Sequence, residues 1–255
     1  MKRFFASIIL IAATAAIAAG QSNNYLKYAA GAYSGDPIAQ YNLACCLITD
    51  NAEESDYKKA ADWLKKSAEQ GYHEAQSYLG WCYEYGIGIE ENLSQAVYWY
   101  KKSAEQGDDD AQNNLGACYG NGTGIEKDFK KAVYWYKKSA EQGNDIAQNN
   151  LGFCYFEGIG VSMNSTKAVS WFMKSAEQEN AEAQYYLGKC YSHGDGIEQS
   201  YDKGAYWYQK AANNGHAEAQ YEIGLCYYYG KGVEQDFALS EYWIEKAVAN
   251  GVDIP

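Results

Sequence analysis

The sequence predicts an all-α fold: a right-handed superhelical α/α solenoid of six 36-residue helical hairpins, preceded by an N-terminal half-repeat. The stretch AVYWYKKSAEQG occurs at residues 96–107 and again, without a change, at 132–143, which is 36 residues later. Ala-Gln recurs six times at this interval, and every unit carries Trp at its position 25. Such in-register repetition is typical of a solenoid, because each hairpin buries its apolar faces only against its neighbours.

The first twenty residues, 1–20, are predicted to be a cleaved signal peptide and not part of the fold. Lys2 and Arg3 form a positive start, residues 4–15 are apolar, and small residues up to Gly20 offer cleavage sites. An uncleaved membrane anchor is the alternative, although the apolar stretch is shorter than the roughly 20 residues of a spanning helix. We therefore expect export to the periplasm or the extracellular space, with no membrane insertion after cleavage.

Residues 21–38 are predicted to form an N-terminal capping helix, because Tyr25–Ser34 looks like the second helix of a repeat without its first. Six full repeats then begin at successive Ala-Gln pairs. Their predicted boundaries are 39–74, 75–110, 111–146, 147–182, 183–218 and 219–255.

Each repeat is predicted to be a helical hairpin. Counted from the Ala of Ala-Gln, positions 1, 5, 8 and 12 hold Ala, Leu or Ile, Cys and usually Gly, at the spacing of one helical face. A glycine pair follows, which can adopt positive φ and turn the chain. Position 18 then supplies a preferred N-cap residue for the second helix in every repeat: Asp56, Asn92, Asp128, Asn164, Ser200 and Asp236.

Glycine is expected to end the second helix of each repeat, where a left-handed backbone is needed. Glu179 is the one exception. The glycines are Gly71, Gly107, Gly143, Gly215 and Gly251. The next first helix is expected to start at an N-cap in four cases: Asp36, Asp108, Asn144 and Asn180.

This pattern resembles the Sel-one-like (Sel1-like) repeat family, the 36-residue relatives of tetratricopeptide repeats. Residues 111–143 carry the family pattern most completely, and the resemblance spans residues 25–251. It implies a helical solenoid that serves as a scaffold or adaptor in signalling, secretion, cell-envelope or quality-control complexes. The first repeat departs from the pattern, because Asp50 and Ala52 replace the loop glycines, and its inter-helix loop is expected to differ.

Six of the seven cysteines are predicted to be buried core thiols, since they share position 8: Cys46, Cys82, Cys118, Cys154, Cys190 and Cys226. Stacked helices lie about 8–10 Å apart, which exceeds the Cα separation of roughly 7 Å that a disulfide tolerates. The resemblance includes a branch with paired cysteines within each repeat, but the second cysteine is missing here. Cys45, at position 7, is the candidate reactive or intermolecular thiol.

A partner-binding groove is predicted along positions 3, 7 and 10 of the first helices, which lie opposite the core face and vary between repeats. Rings there could anchor apolar side chains, while amides could hold a partner's backbone. The alternative is that these rings only pack beneath loops or neighbouring helices. The candidate binding residues are Tyr41, Trp81, Asn113, Asn149, Phe153, Phe156, Tyr185, Tyr221 and Tyr228.

The net charge of −12, which becomes −14 without Lys2 and Arg3, disfavours nucleic acid and permits a basic protein or peptide partner. We therefore expect a non-catalytic protein–protein interaction scaffold without a cofactor or a metal. The isolated Cys190–His193 spacing lacks a partner pair for zinc.

Two other functions remain open from the sequence. Ser55 and Ser200 begin S-x-x-K stretches, which permits an envelope hydrolase or a β-lactam-binding protein, but no K-T-G or S-D-N partner accompanies them. The Tyr- and Asn-rich stripe also permits carbohydrate binding. Sequons at Asn92, Asn121 and Asn164 would carry sugar only in a eukaryotic source.

Overall fold

The computed structural model describes residues 23–49 and 52–253, and these form thirteen helices and no strand. The prediction of an all-α solenoid of consecutive hairpins is confirmed. The predicted signal peptide lies outside the described residues. Within the described part of the chain, no helix is both long enough and apolar enough to cross a membrane.

The helices belong to two compact units, which divide between Lys127 and Asp128. The first unit contains α1 (Asn23–Ser34), α2 (Pro37–Leu47), α3 (Glu54–Glu69), α4 (His73–Tyr85), α5 (Leu93–Gln106) and α6 (Asp109–Asn121). The second contains α7 (Phe129–Gln142), α8 (Asp145–Glu157), α9 (Ser165–Glu177), α10 (Ala181–His193), α11 (Tyr201–Asn213), α12 (Ala217–Tyr229) and α13 (Phe237–Ala249).

Local capping chemistry starts nearly every helix where the sequence predicts it. The position 18 side chains cap α5, α7, α9, α11 and α13 by accepting from backbone N–H groups of the first turn. All four predicted caps of first helices also form, at the starts of α2, α6, α8 and α10. The loop glycines have positive φ, and a Cβ at Gly88 would collide with the Tyr57 carbonyl. The hairpin turn therefore requires glycine.

The first repeat is the exception among the second-helix caps. The prediction that Asp56 caps its second helix is wrong, since α3 begins at Glu54 with Glu53 in the N-cap position. Asp56 instead lies in the first turn and pairs with Lys59 at 2.8 Å. This loop lacks the glycine pair, so the chain enters the helix earlier and in a different conformation.

Glu179 occupies the left-handed position that glycine takes in the other repeats. Its φ of 65° makes it the one non-glycine residue with positive φ in the described part of the chain. Its carboxylate accepts hydrogen bonds from Asn214 and Gln184, both at 3.2 Å, and from Lys210 at 3.2 Å. These donors hold its pKa below the ordinary value, with the Asn214 hydrogen bond as the largest cause.

A repeated hydrogen-bond ladder joins successive hairpins and explains why Ala-Gln and Ser-Ala-Glu-Gln recur. Gln76 donates from Nε2 to the Ala68 carbonyl at 3.0 Å, and Gln106 donates to Gln76 Oε1 at 2.7 Å. Ser103 donates to the His73 carbonyl at 2.7 Å. The same Gln-to-Ala bond joins α2 to α1 through Gln40, so α1 stands where a second helix of a repeat would stand.

Each unit has its own apolar interior between its helices. In the first unit, fully buried Leu43, Leu64 and Leu79 belong to one cluster that also contains Ala32 of α1. In the second, clusters form around Leu151, around Phe172 with Leu187, and around Tyr208 with Ile223. The column of Leu or Ile at position 5 is therefore the centre of the core, as its helical spacing predicts.

Candidate functional site

The predicted ring anchors of the first unit are partly built into its core. Tyr41 meets Tyr72 edge-on at 5.4 Å between ring centroids, and Trp81 stacks on Tyr78 at 5.4 Å. Trp81 also lies 5.7 Å from the Tyr85 ring. Both predicted residues are half-buried against the core cluster. Each therefore offers one ring edge or face outward, not a whole side chain.

The two predicted amide contacts are much less open than the sequence suggests. Asn113 and Asn149 are only 8% and 9% exposed, so the expectation of freely presented amides is wrong. Position 3 lies at the border of the buried face once neighbouring helices pack, which the helical spacing alone does not show. Asn113 hydrogen bonds to Asn114 at 3.5 Å. The Asn149 Oδ1 atom is buried and accepts no hydrogen bond in this structure.

The rings of α8 and α10 form a connected aromatic cluster. Phe153 and Phe156 both contact Tyr186, at 5.6 and 6.0 Å between centroids, and Tyr186 stacks on Phe172 at 5.0 Å. Phe153 and Phe156 are half-buried against this cluster. These predicted site residues thus have a packing role, and their outer edges remain accessible.

Tyr185, Tyr221 and Tyr228 continue the predicted stripe on α10 and α12. Tyr185 stacks on His216 at 4.5 Å, and burial raises its pKa to about 12. Tyr221 is half-buried. Tyr228 is 48% exposed and meets Phe237 edge-on at 5.6 Å. It is the one predicted residue whose side chain is largely open to solvent.

All seven cysteines are free thiols, and the core column is buried in four of six repeats. Burial raises the pKa of Cys82, Cys118 and Cys190 to about 12, so their thiolates are strongly disfavoured. Cys46 and Cys226 are only half-buried, which corrects the prediction for the two end repeats. Cys226 lines a cavity. In the first repeat, the loop carries Glu53 at the position where the other repeats carry Ile or Val. Cys46 therefore lacks an apolar loop side chain that the other repeats have.

Cys45, the candidate reactive thiol, is half-buried and hydrogen-bonded to Tyr41. Burial raises its pKa, and this outweighs the lowering by the Tyr41 hydrogen bond. The surroundings therefore favour the thiol over the thiolate.

In the described residues, the serines of the two S-x-x-K stretches form no side-chain hydrogen bond with the side chains of their lysines. Ser200 is the N-cap of α11, accepting from the Lys203 backbone N–H at 3.3 Å, while Ser55 lies exposed in the first turn of α3. Asn92 and Asn164 are likewise helix caps. Among the described residues, no group of three His, Cys, Asp or Glu side chains is arranged to hold a metal.

Sequence reasoning missed a cavity of about 350 Å³ between α10, α11 and α12. Its walls include Ser192, Tyr208 and Glu222, together with Leu225 of the predicted stripe. Glu222 is half-buried, and this burial raises the pKa of its carboxyl. The signal was present in the sequence, because positions 4 and 10 change from rings in one repeat to Glu and Ser in the next.

The capped hairpins and the Gln–Ala ladder define an α/α repeat protein whose successive repeats stack on one another. A family model described as the Sel1 repeat matches residues 37–72, 73–108, 109–144, 145–180, 181–216 and 217–252. The chain therefore belongs to the Sel1 repeat family. Members of this family generally mediate protein–protein interactions and are generally non-catalytic scaffolds.

Solved structures similar to this chain include c5321, a protective antigen of uropathogenic Escherichia coli with an SLR fold. It is 37% identical, with a TM-score of 0.83, over 91% of this chain and 50% of that protein. The chain thus spans about half the length of c5321. A Sel1 repeat protein from Oxalobacter formigenes is 32% identical, with a TM-score of 0.78, over 85% of this chain and 89% of its own. The Pseudomonas aeruginosa immunity protein Pa5087, at 20% identity and a TM-score of 0.52, shares the fold over 84% of this chain and 81% of its own. No curated protein matches the chain.

Proposed function

We propose that this protein is an exported, non-catalytic scaffold that binds an extended segment of a partner protein on its first helices. The surface concerned is the stripe at positions 3, 7 and 10. In the second unit it includes Asn149, Phe153, Tyr185, Tyr221 and Leu225.

The observation that carries this proposal is the row of partly open rings on the first helices of the second unit. Phe153, Tyr185 and Tyr221 are half-buried, and Tyr228 is 48% exposed. The outer edges of these rings would bury apolar side chains of a bound segment. Family members generally bind proteins, which supports the same assignment.

Export is supported by the positive, apolar and small-residue segments of the leader. The 37% identical c5321 is a protective antigen, and this analogy supports a location outside the cytoplasm.

Selection from a library of random displayed peptides tests the proposal on the mature chain. Enriched peptides should bind the protein, and Tyr221→Ala and Tyr228→Ala, which remove partly open rings, should each weaken binding by about tenfold or more. Tyr206→Ala removes an exposed ring from α11, a second helix, and is the matched control that should bind normally.

Two results would overturn the proposal. One is a selection that enriches no peptide able to bind the purified chain. The other is binding that both stripe variants leave unchanged.

A further inference from the structure

Three packing positions recur at each junction between repeats, and their chemistry changes along the chain. The positions are 10 and 26 of one repeat and 4 of the next. Between α8 and α10 they hold Phe156, Phe172 and Tyr186, whose rings fill the space. At the junction of α2, α3 and α4 the same positions are Ile48, Leu64 and Tyr78, which also pack in the core.

The equivalent positions one repeat after the ring cluster are Ser192, Tyr208 and Glu222. Two rings are thereby replaced by a hydroxyl and a carboxylate, and the cavity of about 350 Å³ lies at this place. This junction also differs at position 22, which is Gly204 here and Ala in the four preceding repeats. A Cβ on Gly204 would collide with the Ser192 hydroxyl. The junction is therefore modified at three positions that together leave the cavity open.

Glu222 has no direct hydrogen-bond or ion-pair partner among the described residues, although its carboxylate is half-buried in the cavity wall. At the corresponding place in the first unit, Tyr100 donates its hydroxyl proton to Glu84 Oε2 at 2.6 Å. Glu84 is at position 10, so its counterpart is Ser192, which hydrogen bonds to the Tyr208 hydroxyl. Glu222, at position 4, is left with a half-buried carboxylate and no direct donor among the described residues, and such burial is unfavourable.

The nearby cations do not neutralise this carboxylate directly. Lys189 Nζ lies 5.7 Å from the centroids of the Tyr185 and Tyr186 rings. Lys231 Nζ, at the cavity wall, lies 5.6 Å from the centroid of the exposed Tyr201 ring. Among the described residues, neither lysine forms an ion pair with Glu222. His193 in the cavity wall and Lys189 act on the carboxylate electrostatically, but burial outweighs their lowering of its pKa, so the carboxylate can still accept hydrogen bonds from a ligand.

We propose that this cavity is the binding site for an arginine side chain of the partner segment. A guanidinium is planar, and the cavity wall offers it the rings of Tyr201 and Tyr229, which are 45% and 62% exposed, to pack against. It can donate two parallel hydrogen bonds to Glu222, which a neutral ring cannot. The net charge of −12 attracts basic segments to the whole chain. This proposal rests on the proposed peptide-binding function and specifies one residue of the ligand.

The test uses acetyl-arginine methylamide, with the lysine and citrulline analogues as comparisons, and follows amide chemical shifts of the full mature chain by NMR. Citrulline has the shape of arginine without its charge. We expect the arginine analogue to shift resonances around Glu222, and citrulline to bind at least about tenfold more weakly. Glu222→Gln should weaken arginine binding by a similar factor, while Lys231→Gln should strengthen it by removing a like charge.

A double variant, Ser192→Phe with Glu222→Tyr, restores the ring chemistry of the preceding junction. Because it fills the cavity, it should melt at a higher temperature and no longer bind the arginine analogue. The inference is wrong if citrulline or lysine binds as tightly as arginine, or if Glu222→Gln binds normally. Peptides that bind the stripe without arginine would overturn this inference and leave the proposed function standing. Binding of the arginine analogue in the cavity, together with a failure to bind any selected peptide, would support the arginine site and overturn the proposed function.

Discussion

Glu179 shows how a single side chain can replace a glycine in a repeated turn. The left-handed backbone costs a residue with a Cβ about 1–2 kcal/mol, and glycine avoids this cost. Here the carboxylate reaches donors on Gln184, Lys210 and Asn214, which lie on the next two helices or just after them. The hydrogen bonds from Glu179 to the following repeat therefore offset the cost of its left-handed backbone conformation.

We expect Glu179→Ala to be less stable than Glu179→Gly by about 1 kcal/mol, because alanine keeps the backbone strain and loses the carboxylate. Urea unfolding followed by circular dichroism measures the difference between the two variants. Both lack the same hydrogen bonds, so each controls for the other. Equal midpoints would show that strain at this position is negligible.

At the scale of the element, the glycine at position 6 of the first helix exists to admit a ring from the second. A Cβ on Gly152 would lie 2.7 Å from Cδ1 of Phe172, and one on Gly80 would lie 2.7 Å from Cδ1 of Tyr100. The first repeat has Ala44 at this position and the smaller Leu64 opposite. In the last repeat Gly224 faces Ile244, so the glycine column also accommodates an aliphatic side chain.

Gly152→Ala is expected to destabilise the protein by roughly 1–3 kcal/mol through overpacking, despite the better helix propensity of alanine. The penalty should fall by about 1 kcal/mol or more when Phe172→Leu is already present, since that pair reproduces Ala44 and Leu64. Thermal or urea unfolding of the two single variants and the double variant completes the cycle. Additive effects would contradict the proposed contact.

Local sequence signals made the positions of the helices predictable. The burial of side chains at the border of a helix's buried face could not be predicted in this way. Caps such as Asn92 and Asp236 act within one turn, so composition and spacing identify them directly. Asp56 misled the prediction because its loop lacks the glycines that set the entry of the other second helices. Asn149 is buried by packing between elements, and the cavity at Glu222 depends on side chains from three helices. Neither property follows from the spacing within one helix.

For the whole molecule, the decisive prediction concerns location. If residues 1–20 direct export, the protein in the periplasm or medium should have the intact mass of a chain that begins near residue 21. Replacing Leu10 and Ile11 by Arg should retain the full-length precursor inside the cell, because the apolar segment is interrupted. A Lys58→Gln variant outside the leader is the control for expression. Full-length mass in the exported fraction would instead support the membrane-anchor alternative.

The Gln–Ala ladder has a consequence for how such a chain can change over generations. The bond from Gln40 to Ala32 is the same as those from Gln76 to Ala68 and from Gln220 to Ala212. A recombination event that duplicates or deletes 36 residues therefore exchanges one junction for an equivalent one, and no new interface has to be invented. Length becomes a heritable quantity that selection can adjust in whole repeats, while individual junctions, such as the one with Glu222, diverge to acquire their own chemistry.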